Sequence, residues 1–172
     1  IQQQGIEVLA LHLLHLWPPH RASSDARPEA VRRAEALGAE VRVIDGTEAD
    51  LALLHDPPHG FGKHLNPCID CRIWTLRQAR RLMEEEGAAF VFTGEVVGQR
   101  PMSQRRDALR LVEKEAGLVD LLVRPLSARC LDATRPEREG ILDRDRLRGF
   151  AGRSRKPQMA LAAELGVTEY AT

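Results

Sequence analysis

Long apolar runs and cysteines are both scarce in this chain of 172 residues, and each shortage excludes a class of protein. No apolar run approaches the roughly 20 residues needed to cross a bilayer, and the chain does not open with the layout of a secretory signal peptide. Three cysteines are too few for a disulfide framework at this length. We therefore expect a cytoplasmic protein with no membrane partner, whose closely spaced cysteines serve metal or redox chemistry.

Aromatic residues and net charge are also low. Aromatic side chains make up 4% of the chain, which argues against stacking on unpaired bases, and the formal net charge is zero. The charge is unevenly spread, however, because residues 1–60 carry 5 basic and 9 acidic side chains whereas 121–172 carry 10 basic and 7 acidic ones. The C-terminal third is therefore suited to a polyanion, and structured RNA read by its shape fits best.

Segments with the apolar patterns of strands and helices alternate along the chain. This alternation implies right-handed βαβ units and an α/β fold, an open parallel sheet with helices on both faces. We expect a single domain over 1–172, in which 128–172 forms an arginine-rich helical segment. Ligands of such sheets bind beyond the carboxyl ends of the strands. Strands are predicted over 6–16, 40–45, 88–94 and 121–127, and helices over 28–37, 47–55, 70–86 and around Leu109, Val112 and Ala116.

The stretch "NPCIDCR" places Cys68 and Cys71 three positions apart, where a proline- and glycine-rich loop turns into a helix. Helix N-termini favour anions, so both thiols are expected to have lowered pKa values and to share one helix face. Three kinds of site remain open: a redox pair, a zinc site that also recruits His59 or His64, and an iron-sulfur cluster.

Cys130, His12 and His15 are the other residues considered as ligands of such a site. Cys130, after the fourth predicted strand, is the remaining cysteine and the candidate third cluster ligand, with a buried structural cysteine as the alternative interpretation. His12 and His15 lie in an apolar strand and are interpreted as core or edge residues rather than ligands.

Two further segments predict binding to anions. In "TGEVVGQR", Gly94 and Gly98 allow close backbone approach to a phosphate or a base. Arginines that follow it lie at the start of a helix, where they oppose the macrodipole unless an anion lies between them. The density of cations in "GRSRKPQ" suits salt-dependent contacts to an RNA backbone, and a solvated surface is the alternative for both groups. The candidate RNA-binding residues are Arg100, Arg105, Arg106, Arg153, Arg155 and Lys156.

The ordered motifs "NPCIDCR", "FVFTGEVVGQRPMSQ", "VRPLSA" and "GRSRKPQMALAAELG" together resemble the PP-loop ATP pyrophosphatases that thiolate tRNA. They are most similar to the adenine nucleotide alpha hydrolase domain of the tRNA 4-thiouridine synthase family, over most of residues 5–170, and this resemblance implies a Rossmann-like sheet. The resemblance implies that ATP, with Mg²⁺, adenylates a tRNA uridine and that a sulfur species then displaces AMP to give 4-thiouridine or 2-thiouridine. It implies tRNA and a sulfur donor as partners, the donor being a cysteine desulfurase, a sulfur carrier or sulfide, and it leaves a homodimer open.

The resemblance also implies roles for individual residues. Cluster-dependent relatives hold a [4Fe-4S] cluster with three cysteines, of which the first two are spaced as Cys68 and Cys71 are. Cys68 and Cys130 are then the expected catalytic thiols, and Cys68, Cys71 and Cys130 the metal ligands, with Zn²⁺ as the alternative metal. Relatives can carry a Gly-Gly-Cys segment beyond position 172, which leaves the third ligand open. The residues expected to border the nucleotide or target base are Thr93, Gly94, Glu95, Gly98 and Gln99.

The family's phosphate-binding turn, Ser-Gly-Gly-x-Asp-Ser, does not occur in these residues. By resemblance, "IQQQGIEVLALHL" corresponds to the end of the helix after that turn and the next strand. We therefore expect a fragment that lacks this motif, ends early at its C-terminus and is inactive alone. Two other functions stay open: a PP-loop enzyme that adenylates a small molecule, and a zinc-stabilised RNA-binding module without catalysis.

Overall fold

The computed structural model describes residues 1–16, 28–62 and 65–167, in which strands and helices alternate as predicted. This confirms the α/β class. None of the helices in these ranges is long and apolar enough to cross a membrane. The strands are β1 (Leu9–Leu14), β2 (Glu40–Asp45), β3 (Val91–Phe92) and β4 (Leu122–Val123), and the helices are α1 (Glu29–Ala36), α2 (Thr47–His55), α3 (Cys68–Glu85), α4 (Arg106–Glu115), α5 (Arg135–Arg138) and α6 (Lys156–Glu164).

The strands pair in parallel, as the helical crossovers between them require. β1 lies beside β2 along six residues, from Leu9 opposite Glu40 to Leu14 opposite Asp45. β3 lies beside β4, and the carboxyl ends of both members of each pair therefore meet at one edge. Within the described ranges the strands form two separate two-stranded pairs instead of the one continuous open sheet that the sequence predicts.

Three strands, β1, β3 and β4, are shorter than predicted, because only their central residues pair with a neighbouring strand. β1 begins at Leu9 instead of residue 6, after a left-handed turn at Gly5. Two hydrogen bonds flank the β3–β4 pair, from Val91 N–H to Leu121 O at 3.1 Å and from Thr93 N–H to Val123 O at 3.0 Å. This ladder fixes the position of the loop that starts at Thr93.

The main core lies between α3 and α4. Ile69, Ile73 and Leu76 recur at helical spacing on α3, and their side chains are buried against Ala108 and Val112 of α4. Burying each large aliphatic side chain contributes about 1.5–3 kcal/mol relative to leaving it exposed. The buried helix face therefore fixes α3, and with it the cysteines of its first turn.

A second core joins the C-terminal third to the rest of the chain. The described part of 128–172 is less helical than predicted, with two short α-helices, α5 and α6, and two 3-10 turns, Ala128–Cys130 and Arg144–Arg146. Leu142 and Leu147 are buried there but lie five positions apart, a spacing that one helix face cannot present. The second core consists of Val123, Ala128, Leu142 and Leu147, with Ile1, Ile6 and Phe90 packed against it.

Candidate functional site

The predicted cysteine pair lies in the first turn of α3, which begins at Cys68 with Pro67 as its N-cap. Cys71 N–H donates to Pro67 O at 2.9 Å and closes that turn. Both thiols are free and half-buried. The placement of both cysteines at a helix N-terminus on one face agrees with the prediction.

Cys71 adjoins a histidine–carboxylate pair that comes from two other elements. His15 lies one residue past β1, and its Nδ1 is 3.1 Å and 3.2 Å from the two carboxylate oxygens of Asp50. Asp50, on α2, is fully buried and also accepts a hydrogen bond of 2.8 Å from Leu16 N–H. One ligand atom from each of His15, Asp50 and Cys71 lies within 4.8 Å of the other two. Sulfur, nitrogen and oxygen donors thus meet at the carboxyl end of β1.

The expected lowering of both thiol pKa values is wrong for Cys71. Burial raises the pKa of the Cys71 thiol, and the negative charge of Asp50 raises it further. The charge of Arg72 and a hydrogen bond with Thr75 act in the opposite direction without cancelling these two effects. Cys71 is therefore a neutral thiol at neutral pH until a cation displaces its proton.

His59, one predicted zinc ligand, is bound to a different partner. Its Nδ1 is 2.6 Å from Oδ1 of the buried Asp70, and its backbone N–H donates to Oδ2 at 3.0 Å. This pair fixes the loop before α3 to the first turn of the helix. In the ranges that the structure describes, His59 does not form a closely spaced group with Cys68 and Cys71. His64, the other predicted zinc ligand, lies outside the described residues.

Cys130, the predicted third cluster ligand, ends the 3-10 turn after β4. Its thiol donates to Gly149 O at 3.3 Å. Within the described chain, its sulfur does not join Cys68 and Cys71 in a group of ligand atoms separated by less than 4.8 Å. The role of Cys130 as a metal ligand and catalytic thiol stays a prediction.

Glu95, a predicted nucleotide contact, is the centre of a buried ion-pair network. Its carboxylate accepts hydrogen bonds from Arg72 Nε at 2.8 Å, from Arg124 Nε at 3.1 Å and from the Thr93 hydroxyl at 3.1 Å. Arg124 also donates to Glu113 at 2.9 Å. Glu95 and Thr93 therefore position the loop after β3.

The charges of this network decide the protonation of Glu95. Burial alone would raise the pKa of its carboxyl group, but the guanidinium groups of Arg72 and Arg124 outweigh burial and hold the pKa below its ordinary value. Sequence reasoning missed both arginines. A signal for Arg124 exists, because it is a charged residue within the apolar run 121–126.

The loop after β3 crosses the C-terminal segment at close range. Gly152 N–H donates to Val97 O at 2.8 Å, next to a parallel bridge between Val97 and Ala151. Ser127, fully buried, accepts a hydrogen bond from Val97 N–H at 3.0 Å and donates one to Phe150 O at 2.7 Å. One buried hydroxyl thus joins the two segments.

Two glycines make the crossing possible. Gly98 and Gly152 have φ angles of +77° and +87°, in the left-handed region that side chains disfavour. A Cβ on Gly98 would lie 3.5 Å from the backbone nitrogen of Gly152. The Gln158 amide is oriented so that its nitrogen donates to backbone oxygens of Ser154 and Arg155. In this orientation Gln99 Nε2 donates to the Gln158 side-chain oxygen at 3.2 Å. Gly98 and Gln99 are both predicted site residues, and Gln99 contacts the C-terminal segment at Gln158, just after the run of cations from Arg153 to Lys156.

The six predicted RNA-binding cations are exposed, and the crossing brings two groups of them together. Arg100 follows the Gly98 turn, and the run from Arg153 to Lys156 follows Gly152. Arg105 caps the start of α4 and pairs with Asp107 at 2.9 Å. Two cation-bearing segments separated by about 50 residues in sequence are thus joined by the hydrogen bond between Gly152 and Val97.

Comparisons of the chain with protein-family models, curated proteins and solved structures find no match.

The donor atoms near the cysteine pair suit different metals to different degrees. Nitrogen, oxygen and sulfur donors beside Cys71 suit zinc, which accepts all three. An iron-sulfur cluster is held mainly by thiolates, and the first turn of α3 supplies two of them. A cluster would therefore need Cys130 or another cysteine as its third ligand.

Proposed function

We propose that this chain is a tRNA sulfurtransferase domain, which acts by ATP-dependent adenylation of a tRNA uridine followed by sulfur insertion. One observation carries the proposal: residues 93–100 connect the cysteine-bearing turn to the cation-bearing C-terminal segment. Glu95 pairs with Arg72, the residue after Cys71, while Val97 O accepts a hydrogen bond from Gly152 N–H. Cys71 lies beside the carboxyl end of β1, and the glycine-bearing loop follows the carboxyl end of β3. Such strand ends are where folds of this kind bind ligands.

The proposed reaction divides the work among these groups. The uridine oxygen attacks the α-phosphate of ATP and releases pyrophosphate, so that AMP becomes the leaving group. With sulfide as the donor, a carbon–sulfur bond then forms and the carbon–oxygen bond to AMP breaks, without any change of oxidation state. In this scheme the exposed arginines and Lys156 bind the RNA backbone, and Cys68 and Cys71 lie where sulfur must be delivered.

The nucleotide would meet the backbone of the loop after β3. The Thr93 and Glu95 side chains are already paired with each other and with Arg72 and Arg124. At Gly94, by contrast, a Cβ atom would have no neighbour within 4 Å, which leaves open space beside the chain. ATP with Mg²⁺ would supply the adenylate group, and this space beside Gly94 is where we place it.

Pyrophosphate release by the protein as its gene encodes it tests the proposal. We expect release that is stimulated by tRNA and that falls when Arg153, Arg155 and Lys156 are replaced together by Gln. The matched control removes the same charge from α3 through Arg77→Gln, Arg80→Gln and Arg81→Gln, which should leave the stimulation intact. Release that is independent of tRNA would indicate adenylation of a small molecule instead.

The donor group beside Cys71 favours a second candidate, a zinc-stabilised RNA-binding module without catalysis. Such a module would bind tRNA in a salt-sensitive way and contain one zinc ion, yet release no pyrophosphate. Iron with acid-labile sulfide in the anaerobically purified protein would instead support the sulfurtransferase.

A further inference from the structure

Three elements converge on the cluster of His15, Asp50 and Cys71. His15 follows β1, Asp50 lies on α2 and Cys71 lies in the first turn of α3. We propose that these three side chains form a mononuclear site for a divalent transition metal of the zinc type. The proposal rests on the geometry of these residues and not on the proposed function, and its ligands differ from the three-cysteine set that the family resemblance implies.

The donors and their separations suit such an ion. Zinc binds imidazole nitrogen, carboxylate oxygen and thiolate sulfur at about 2.0–2.3 Å, so its ligand atoms lie roughly 3–4 Å from one another. The three donors already lie within 4.8 Å of one another, and the His15–Asp50 separation is 3.1 Å. Small side-chain rotations therefore suffice to enclose an ion.

Asp50 is held in place by a backbone donor. Leu16 N–H donates to its Oδ2 at 2.8 Å, which orients the carboxylate and leaves lone pairs on Oδ1. Hydrogen bonds of this kind fix the orientation of metal-binding carboxylates in proteins. The site would thus be organised before the ion binds.

The charge of Asp50 also favours a cation. Glu95, another buried carboxylate described above, is neutralised by two guanidinium groups. In the described part of the chain, no arginine or lysine pairs with the fully buried Asp50, and His15 and Cys71 are the titratable groups beside it. A buried carboxylate is costly unless it is paired or coordinates a metal. A divalent ion would balance Asp50 and the thiolate that forms when Cys71 loses its proton to solvent.

Cys68 is the nearest candidate in sequence for a fourth ligand. It lies one turn before Cys71 on the same helix face. Both thiols are half-buried, so an ion can reach them from solvent. The metal would then join the end of β1 and α2 to the helix that carries the cysteine pair.

Titration of the metal-free full chain with Co²⁺, in the absence of ATP and tRNA, tests the site. We expect one equivalent to bind and to give thiolate-to-cobalt charge-transfer absorption together with the strong visible bands of a tetrahedral site. Cys71→Ser should abolish the charge-transfer band or weaken binding. His15→Ala and Asp50→Asn should each weaken Co²⁺ binding by at least about 10-fold, the lower limit for losing even an outer partner of a metal site.

Two controls separate metal binding from folding and from a cluster. Cys130→Ser and His55→Asn remove a thiol and an exposed imidazole outside the site and should leave the Co²⁺ affinity unchanged. Added Zn²⁺ should raise the Tm of the wild-type protein and not that of His15→Ala, provided that circular dichroism shows this variant to be folded. Unchanged affinity in folded His15→Ala would overturn the proposal, as would an iron-sulfur cluster that depends on Cys130 and not on His15.

Discussion

At the scale of single residues, the buried charges carry most of the organisation of the site. Glu95 is 2% exposed and Arg124 is 4% exposed, and each would be costly to bury without the other. Arg72 links the same carboxylate to the helix turn that holds the cysteines. The position of the loop after β3 relative to the thiols therefore depends on one carboxylate.

Replacing Glu95 by Gln should destabilise the protein by about 3 kcal/mol, because the buried guanidinium of Arg124 would lose one of its two carboxylate partners and keep only Glu113. Urea unfolding measures this loss. Glu84→Gln is the matched control, since the Arg80–Glu84 pair is exposed and should contribute less than about 0.5 kcal/mol. Equal effects of the two substitutions would contradict the importance given to the buried network.

The same carboxylate predicts a dependence of stability on pH. Because the pKa of Glu95 is lower in the folded than in the unfolded state, the unfolded chain binds more protons in acid. Its stabilising contribution is therefore complete above the ordinary glutamate pKa of about 4.3 and is lost as the pH falls towards the folded value. We expect the free energy of unfolding, measured between pH 7 and pH 3, to fall less with decreasing pH in Glu95→Gln than in the wild type.

At this scale, the sequence predicts the motifs better than their partners. The spacing of Cys68 and Cys71 shows that they share a helix face, and the structure places them there. The sequence could not show that Asp50 and Arg72 belong to the site, because their partners are 35 and 23 residues away and only folding brings them together. For the same reason, spacing alone could not show that burial raises the pKa of Cys71.

At the scale of elements, the crossing of the glycine loop with the C-terminal segment joins two stretches of chain that both carry exposed cations. Ser127 lies between them and satisfies one backbone group of each. The strand and helix order was predictable from apolar periodicity. This crossing was not, because it depends on backbone and hydroxyl hydrogen bonds that leave no periodic pattern in the sequence.

Ser127→Ala should destabilise the protein by about 1–3 kcal/mol, because it leaves Val97 N–H and Phe150 O buried without their partner. Hydrogen exchange at the Val97 amide should become faster as well, since that amide donates to the lost hydroxyl. The control is Ser154→Ala on the exposed part of the same segment. Unchanged exchange at Val97 in Ser127→Ala would show that the hydroxyl does not join the two segments.

At the scale of the whole molecule, basic side chains outnumber acidic ones in the C-terminal third although the formal net charge is zero. Arg100 and the segment from Arg153 to Lys156 are exposed. The α/β class and the parallel pairing followed from the alternation of elements. The arrangement of the strands as two pairs did not, because periodicity reports which residues are buried and not which strand lies beside which.

Binding of tRNA to these exposed cations should weaken steeply with salt, because each neutralised phosphate releases counterions. Joint replacement of Arg153, Arg155 and Lys156 by Gln should lower the magnitude of the slope of log affinity against log salt by up to about 2.7, or roughly 0.9 for each lost contact. Filter binding at several salt concentrations gives the slope. The equal charge removal at Arg77, Arg80 and Arg81 should leave it unchanged, and the opposite ranking would place the RNA on α3.

Formation of thiouridine tests the central claim most directly. The protein as its gene encodes it, purified anaerobically, would be incubated with unmodified tRNA, ATP, Mg²⁺ and sulfide, and the digested tRNA analysed by mass spectrometry. We predict a thiolated uridine that requires ATP and that Cys71→Ser reduces, whereas His55→Asn leaves it unchanged. An intact protein that binds tRNA yet produces no thiouridine under these conditions would contradict the account.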